Sequence, residues 1–350
     1  MGSRSASVIN AETSIPTKNR YLAELDAAWK EYLKPRLPDA LKTISLFAGC
    51  GGSSLGYSMA GFKELLACEW DDDAAETFML NFPDIPMYHG DISKLSVDDC
   101  LKMTNLQVGE LEVLDGSPPC QGFSLAGERE FSDQRNQLSL EFIRLLSGLK
   151  PRAFIMENVS GLVKGKMKLV FAEIMRELKV AGYSVKCQLM NMAYFGVPQN
   201  RCRMIFIGVR SDLGIIPTFP IPKVRPISVK EAIGHLPVGL PGEHSKQGIE
   251  AWYGAEGNKS LRKVNRFVGS FQSVRLDPDL PSPTQIKAHF NWHWLVPRQL
   301  TVQEAAILQS FPESFQFPCK KTAAKSQIGN SVPPLFMRAI ANHVKGFLNG

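Results

Sequence analysis

Apolar positions along this chain follow two rhythms. Between Arg20 and Leu37 they recur at helical spacing (Leu22, Leu25, Ala28, Trp29, Tyr32) and stop near Pro35 and Pro38, which predicts an amphipathic N-terminal helix packed on the main body. From Thr43 onward, short apolar runs predict strands near 43–47, 64–69, 111–115, 152–156, 184–190 and 203–209. Helical stretches at 71–81, 138–149 and 168–181 lie between them. Strands alternating with helices imply an α/β fold whose mostly parallel sheet is covered on both faces. After Gly208 the texture changes. Pro217, Pro220, Pro222, Pro226, Pro237, Pro241, Pro278, Pro281 and Pro283 interrupt short apolar runs, predicting a smaller, loop-rich second domain. Thr301-Val-Gln-Glu304 matches a capping box and opens a helix through Gln309, and Pro333-Pro334 start a last helix toward Phe347. The expected organisation is a helical extension over 1–40, a main domain over 41–210 completed by 322–350, and a second domain over 211–321.

At 350 residues and 44% hydrophobic, the chain can bury a substantial core. No run of eighteen apolar residues exists to span a bilayer, and Met1 to Asn10 lack the apolar stretch of a signal peptide, so a cytoplasmic protein without membrane contact is expected. The seven cysteines (50, 68, 100, 120, 187, 202 and 319) are scattered without a C-x-x-C pair, which argues against a disulfide framework or a zinc site; no metal is expected. The formal charge of +6 is mild. Its distribution says more, since Ser211 to Lys321 carries thirteen Lys or Arg against nine Asp or Glu. Clusters such as Lys223, Arg225, Lys230 and Arg262, Lys263, Arg266 would suit phosphate contacts.

Candidate chemistry gathers at predicted strand ends. Gly-Ser-Pro-Pro-Cys120 follows the apolar run Leu111, Val113, Leu114, so a thiol stands behind two prolines that stiffen its turn, where open α/β sheets place their chemistry. Phe47-Ala48-Gly49-Cys50-Gly51-Gly52 follows the first strand, and its glycines can admit a cofactor close to the backbone. The pattern is not the dinucleotide fingerprint, because Ser54 stands at the third glycine position. Glu69 ends the second strand where a carboxylate accepts from ribose hydroxyls; Trp70 offers a face for adenine, and Asp91 could accept from its amino group. Those contacts favour S-adenosylmethionine over NAD. Glu157 ends a buried strand and must be paired or held neutral. Arg201 and Arg203, at i and i+2 of an extended chain, are expected to face one side and grip a carbonyl or phosphate.

The ordered blocks extend this picture. Leu46-Phe-Ala-Gly-Cys-Gly-Gly, Glu69-Trp70, Gly90-Asp91-Ile92, Ser117-Pro-Pro-Cys-Gln-Gly-Phe-Ser, Glu157-Asn158-Val159 and Gln199 with Arg201 and Arg203 are followed by Arg298-Gln-Leu-Thr-Val-Gln-Glu-Ala-Ala-Ile-Leu-Gln-Ser-Phe-Pro and Gln327-Ile-Gly-Asn-Ser-Val-Pro-Pro. In this order the chain resembles the DNA (cytosine-5) methyltransferases of bacterial restriction-modification systems, from Leu46 nearly to the C-terminus. The first forty residues lie outside the resemblance. Two departures stand in the first block: Ile44-Ser45-Leu46 where many relatives have an Asp near the strand end, and Cys50 where Leu or Ile is common.

The resemblance implies a Rossmann-like, class I S-adenosylmethionine-dependent sheet with a target-recognition domain. It implies that the methyl donor, leaving as S-adenosylhomocysteine, is held by Phe47 through Gly52, Glu69, Trp70, Asp91, Ile92, Pro119, Leu138, Asn330, Ser331 and Val332. Cys120 would add as thiolate to C6 of a cytosine flipped from duplex DNA, Glu157 would bond to N3, and Arg203, supported by Arg201, would hold O2. Residues 121–136 would close over the DNA, and 211–321 would read sequence. A monomer is expected, with any cognate restriction endonuclease acting without direct contact, in a cytoplasm where DNA binding draws the protein to the nucleoid. A transfer-RNA methyltransferase on the same scaffold is the near alternative, but Ser211 to Pro297 lacks the Cys-Phe-Thr element of RNA-directed relatives. An inactive DNA-binding module is opposed by the intact Cys120, Glu157 and arginines. An NAD enzyme is opposed by the glycine pattern.

Overall fold

Seven strands share one sheet in the computed structural model, which describes residues 19–119, 137–163, 165, 167–222, 225–239, 246–265, 273–287 and 290–349. They are β1 (Lys42–Leu46), β2 (Lys63–Glu69), β3 (Met87–His89), β4 (Val113–Gly116), β5 (Ala153–Val159), β6 (Tyr183–Asn191) and, after the short β7 (Gln199–Asn200), β8 (Cys202–Arg210). The order is β3-β2-β1-β4-β5-β8-β6. Neighbours run parallel except at β8, which is antiparallel to both β5 and β6. Side chains alternate along β5: Phe154 and Met156 enter one apolar layer with Phe142, Leu145 and Leu146, while Ala153 and Ile155 enter the other with Phe336, Ile340 and Val344. This two-sided burial is why the strands read as continuous apolar runs.

Helices α1 (Arg20–Tyr32), α2 (Gly52–Met59), α3 (Asp72–Asn81), α4 (Val97–Thr104), α5 (Gln137–Leu149) and α6 (Met167–Val180) accompany the strands up to β6. After β8 come α7 (Val229–Ile233), α8 (Lys246–Gly254), the antiparallel pair β9 (Lys259–Ser260) and β10 (Val274–Arg275), and β11 (Ser282–Pro283), which lies parallel to β7. The chain ends with α9 (Val302–Leu308), α10 (Lys321–Asn330) and α11 (Pro334–Leu348). The expected N-terminal helix forms and packs: Tyr21, Leu22, Leu25 and Ala28 are buried, and the Tyr21 hydroxyl donates to the Ile307 carbonyl at 2.6 Å. Asn19 caps it by accepting from Leu22 N. The same apolar cluster takes residues from α1, α2, α3, α7, α9 and the 311–315 turn, so this core crosses the 210/211 boundary expected from the proline texture.

The first and last blocks meet across α2 and α11. A Cβ on Gly52 would lie 2.3 Å from the Val332 carbonyl oxygen, and one on Gly56 would lie 2.5 Å from Met337 Cβ and 2.7 Å from Pro334 O. The two backbones approach this closely only because those positions carry hydrogen. Gly56 lies outside the expected cofactor contacts, so Gly56→Ala isolates the packing effect. It should cost about 1–3 kcal/mol through overpacking and lower the urea midpoint without changing the m-value; an unchanged midpoint would contradict this packing.

Beneath α2 lies a layer of buried polar groups: Thr43 and Ser45 of β1, Glu64 of β2, Asp115 of β4, and Ser53, Ser54 and Tyr57 of the helix. Ser54 Oγ donates to Glu64 Oε1 at 2.9 Å, and Tyr57 OH donates to Asp115 Oδ1 at 3.3 Å. The other Glu64 oxygen and the hydroxyls of Thr43 and Ser45 have no aligned partner. Beside Ser45, a carboxyl group thus reaches this layer from the next strand. Burial pushes Glu64 up to about 8, with Ser45 and Ser54 pulling the other way and Asp115 raising it further. Burial likewise pushes Asp115 up to about 7, against the hydroxyls of Ser53 and Tyr57. Both pKa values exceed those of an unfolded chain, so the folded state binds extra protons and loses stability as pH rises toward 8. Glu64→Gln imitates the protonated form. Its unfolding midpoint should match the native protein near pH 4, below the ordinary carboxyl range, and exceed it by a margin that grows up to about pH 8; a margin that does not grow with pH refutes the sign.

Candidate active site

The carboxyl edge of the sheet collects the candidate residues. Gly116 closes β4 because a Cβ there would meet the Phe142 ring at 2.7 Å, and Ser117-Pro118-Pro119 leads outward from it. Pro119 is exposed. Cys120 and the expected closing segment 121–136 lie outside the described residues. Asn158 braces the approach to that thiol: its Nδ2 donates to the Pro118 carbonyl at 3.3 Å, while its Oδ1 accepts from Val159 N at 2.8 Å. Sequence reasoning placed Asn158 in a block without giving it a task. Its signal was an amide adjoining a strand-end carboxylate.

Glu157 and Arg203 meet across the β5–β8 ladder. Val159 opposes Arg203 and Glu157 opposes Ile205, so Glu157 and Arg203 are diagonal neighbours on one face. Arg203 Nε stands 2.8 Å from Glu157 Oε1. The N–H is not aligned with that oxygen, so the contact is an ion pair that leaves Oε1 without a hydrogen-bond donor. Burial raises the Glu157 pKa, and the charges of Arg203 and then Arg201 restrain the rise. A carboxyl so placed can keep a proton nearer neutrality than a free one and present it at the strand end.

The two arginines do not act as the same-side clamp expected from their spacing. Arg201 lies between β7 and β8, just before the extended run begins, and is 1% exposed. Its Nη1 donates to the Gln285 carbonyl at 3.2 Å and its Nη2 to the Gly329 carbonyl at 3.0 Å. Its role here is to brace backbone, with its charge still felt by Glu157. The basic surplus of 211–321 is partly structural too. Arg225 is paired with Glu231, Arg298 grips buried Glu304 through two 2.7 Å bonds, and Arg275 lies 4.1 Å over the Trp252 ring. Lys223 and Arg266 lie outside the described residues.

A second group forms where β1 and β2 end. The Glu69 carboxylate accepts from Gly49 N at 2.7 Å and from Trp70 N and Asp71 N at 2.9 Å each, binding the glycine loop to the next strand. Three bonds leave one lone-pair direction for a ligand hydroxyl. Phe47 and Gly49 have φ of +58° and +57°, and a Cβ on Gly49 would meet nothing within 4 Å, so the loop opens to space at that residue. Gly51 and Gly52 serve packing instead, against the Phe82 ring and the Val332 carbonyl. Ala48, Cys50 and Ile92 are buried, and burial pushes the Cys50 thiol well up. Trp70 is 77% exposed, leaving its ring free to stack. Asp91 accepts from Ser93 N at 2.9 Å, the first cause of its lowered pKa, and is exposed. Leu138 is half-buried at the start of α5. Asn330 is exposed, Ser331 is half-buried and Val332 is buried at the turn that packs on Gly52. A carboxylate, an open glycine and an exposed aromatic face along one edge fit a nucleoside, as S-adenosylmethionine requires. Among the described residues no helix is long and apolar enough to cross a membrane, and no cluster of His, Cys, Asp and Glu could hold a metal ion.

Known proteins resemble this chain over most of its length. Type II methyltransferase M1.HphI of Haemophilus parahaemolyticus is 40% identical over 330 residues, covering 87% of each chain. Type II methyltransferase M.DdeI of Desulfomicrobium norvegicum is 31% identical, covering 88% of this chain and 89% of its own. A solved E. coli structure, described as a prophage-encoded DNA modification methyltransferase, superposes with a TM-score of 0.77 at 28% identity, covering 89% of this chain and all of that one. The S. pombe Dnmt2 methyltransferase shares the fold, with a TM-score of 0.65 at 19% identity over 89% of this chain and all of its own. The family described as C-5 cytosine-specific DNA methylase matches residues 41–346, nearly the whole α/β body and the segment inserted in it, and the chain belongs to that family.

Proposed function

We propose that this protein methylates C5 of one cytosine within a specific sequence of duplex DNA, through a transient bond between Cys120 and C6. The observation that carries the reading is the buried Glu157 beside Arg203, at the strand end next to the Pro118–Pro119 turn. Cytosine C5 is too weak a nucleophile to take a methyl group unaided. The Cys120 thiolate adds to C6, and Glu157, holding its proton, donates to N3 as negative charge reaches the ring. Arg203 holds O2 and tempers the Glu157 pKa. When bound, S-adenosylmethionine supplies an electrophilic methyl group. Loss of the C5 proton then expels the thiolate and restores the ring. Glu69 would bind the ribose hydroxyls, Trp70 would stack on adenine, Asp91 would accept from its amino group, and Asn330, Ser331 and Val332 would border the donor from the C-terminal side.

Both faces of a paired cytosine are stacked, so the base must leave the helix, at a cost of a few kcal/mol that protein contacts offset. Residues 121–136 would close over it, and 211–321 would carry target recognition. The protein would act as a cytoplasmic monomer, without contacting any cognate endonuclease.

Tritiated methyl transfer offered to mixed-sequence duplex DNA and to total tRNA tests the substrate class. Label should enter DNA, at a site that bisulfite sequencing locates, and label confined to tRNA would overturn the proposal. DNA containing 5-fluorocytosine should trap a covalent adduct with the native protein and none with Cys120→Ser. Arg203→Met should lower kcat/KM by about 100- to 1000-fold, as loss of an aligned electrostatic group does. Because Arg203 holds the Glu157 pKa down, the variant should keep that proton to higher pH and move the alkaline limb of kcat/KM upward. A limb that moves down would remove Glu157 from the role of proton donor.

A further inference from the structure

Three glutamines that take no part in the chemistry above are almost wholly buried. They are Gln199 of β7, Gln285 just after β11, and Gln309 at the end of α9, each at most 1% exposed. A buried amide is costly unless its groups are bonded; Gln199 and Gln309 bond each other through their side chains, while Gln285 joins through its backbone N–H and its Nε2 donates to Ser282 Oγ at 3.0 Å. Gln199 Nε2 donates to Gln309 Oε1 at 2.6 Å, and Gln199 Oε1 accepts from Gln285 N at 2.9 Å. Gln309 Nε2 donates to the Ser331 carbonyl at 2.8 Å and to Ser331 Oγ at 3.3 Å. Arg201 joins the same group through the Gln285 and Gly329 carbonyls. One continuous polar path therefore runs from the arginine segment beside Glu157 to the turn beside Gly52.

The backbone around the path is placed at a cost. Ser310, directly after Gln309, has φ of +64°, a conformation that favours glycine. The side chain compensates, since Ser310 Oγ accepts from Leu335 N at the start of α11. The strained residue thus fastens the end of α9 to α11 and aims Gln309 between Gln199 and Ser331. At the other end, a Cβ on Gly329 would lie 2.3 Å from Lys287 N and 2.4 Å from Ile286 C, so the segment after β11 is pressed against the last turn of α10. Two atoms at the Arg201–Gln285 joint, Arg201 Nε and Gln285 Oε1, are buried without partners. Polar groups recruited only for stability are normally satisfied.

We propose that Gln309 is a positioning residue which sets the Ser331 turn from the position of the base-side segment, so that the methyl donor and the target base bind with mutual dependence. This rests on the reading that Asn330 to Val332 border the donor and that Glu157 and Arg203 border the base. Gln309→Met keeps the length and removes all three side-chain bonds. Gln309→Glu keeps the acceptor for Gln199 Nε2 and removes the donor to Ser331, so it carries the test if the Met variant fails to fold.

The experiment measures binding of S-adenosylhomocysteine to the full chain with and without sonicated mixed-sequence duplex DNA, and KM and kcat for S-adenosylmethionine on that DNA. In the native protein DNA should tighten the binding of S-adenosylhomocysteine; in both variants that tightening should shrink about tenfold, within the usual span of coupling between sites. Affinity without DNA should stay within about threefold, and KM for the donor should rise more than kcat falls. A variant that loses affinity equally with and without DNA, or that loses only thermal stability, would make Gln309 a structural residue and overturn the proposal. A native protein whose product affinity ignores DNA would also overturn it. If the native chain transfers no methyl group to DNA, the reading of the site fails first and the inference falls with it.

Discussion

The contact between α2 and the turn leading into α11 sets the geometry on which the rest depends. Residues from opposite ends of the chain stand against each other there with no side chain between Gly52 and the Val332 carbonyl, and almost none between Gly56 and Pro334. A separation of one methyl group more would carry the Ser331 turn away from the glycine loop. It would also carry away Leu335, whose N–H is bound by Ser310, and through it the end of α9. Three elements that are distant in sequence are thereby held to the same edge of the sheet. The close approach is also why the first block of the chain makes no complete site alone.

Charge is handled by burial as much as by pairing. Exclusion of water raises the Glu157 pKa, and the charges of Arg203 and then Arg201 hold that rise in check. The layer of Glu64, Asp115 and Tyr57 under α2 lies nearer the sheet centre, and Asp115 feels the charge of Glu157. Elsewhere the opposite solution is used: Glu304 is fully ion-paired with Arg298, and its carboxylate also completes the capping box by accepting from Thr301 N. Removing one member of such a buried pair costs about 3–5 kcal/mol, so this pair fastens α9 firmly beneath the inserted segment.

Much of this was legible in the chain and some could not be. The strands near 43, 64, 111, 152 and 203 announce themselves because burial on both faces forces continuous apolar runs, whereas β6, at the sheet edge near 184, is mostly half-buried or exposed. The helix at 302–308 opens where Thr301 and Glu304 predict it. β3 has three half-exposed residues and shows no period, while α4 buries only Cys100 fully although Ser96 and Asp99 form a capping box. α10 hides behind its polar composition, burying Ala324, Gln327, Ile328 and Gly329. Site residues at strand ends were found for the same reason as the strands. The glutamine path was not, because Gln199, Gln285 and Gln309 lie 86 and 110 positions from the residues they bond, and nothing local marks a buried amide. Likewise Arg201 and Arg203 look equivalent in sequence. Only the start of β8 between them separates a brace from a neighbour of Glu157.

The reversed direction of β8 has a cost in chain length. Because it begins at the reactive edge, it ends at the far edge, where Arg210 binds the carbonyls of Gly109 and Lys150 just before β4 and β5 begin. The polypeptide must then climb back along the height of the sheet, about 30 Å for a nine-residue strand, before it can return to the edge where Glu157 and Arg203 stand. Residues 214–222 begin that return without helix or strand, laying Ile215 and Phe219 along the α11 layer and bonding Thr218 to His343. Pro217, Pro220 and Pro222 suit such an ascent. They hold the chain extended at about 3 Å per residue and have no N–H groups to leave unbonded where no partner strand exists.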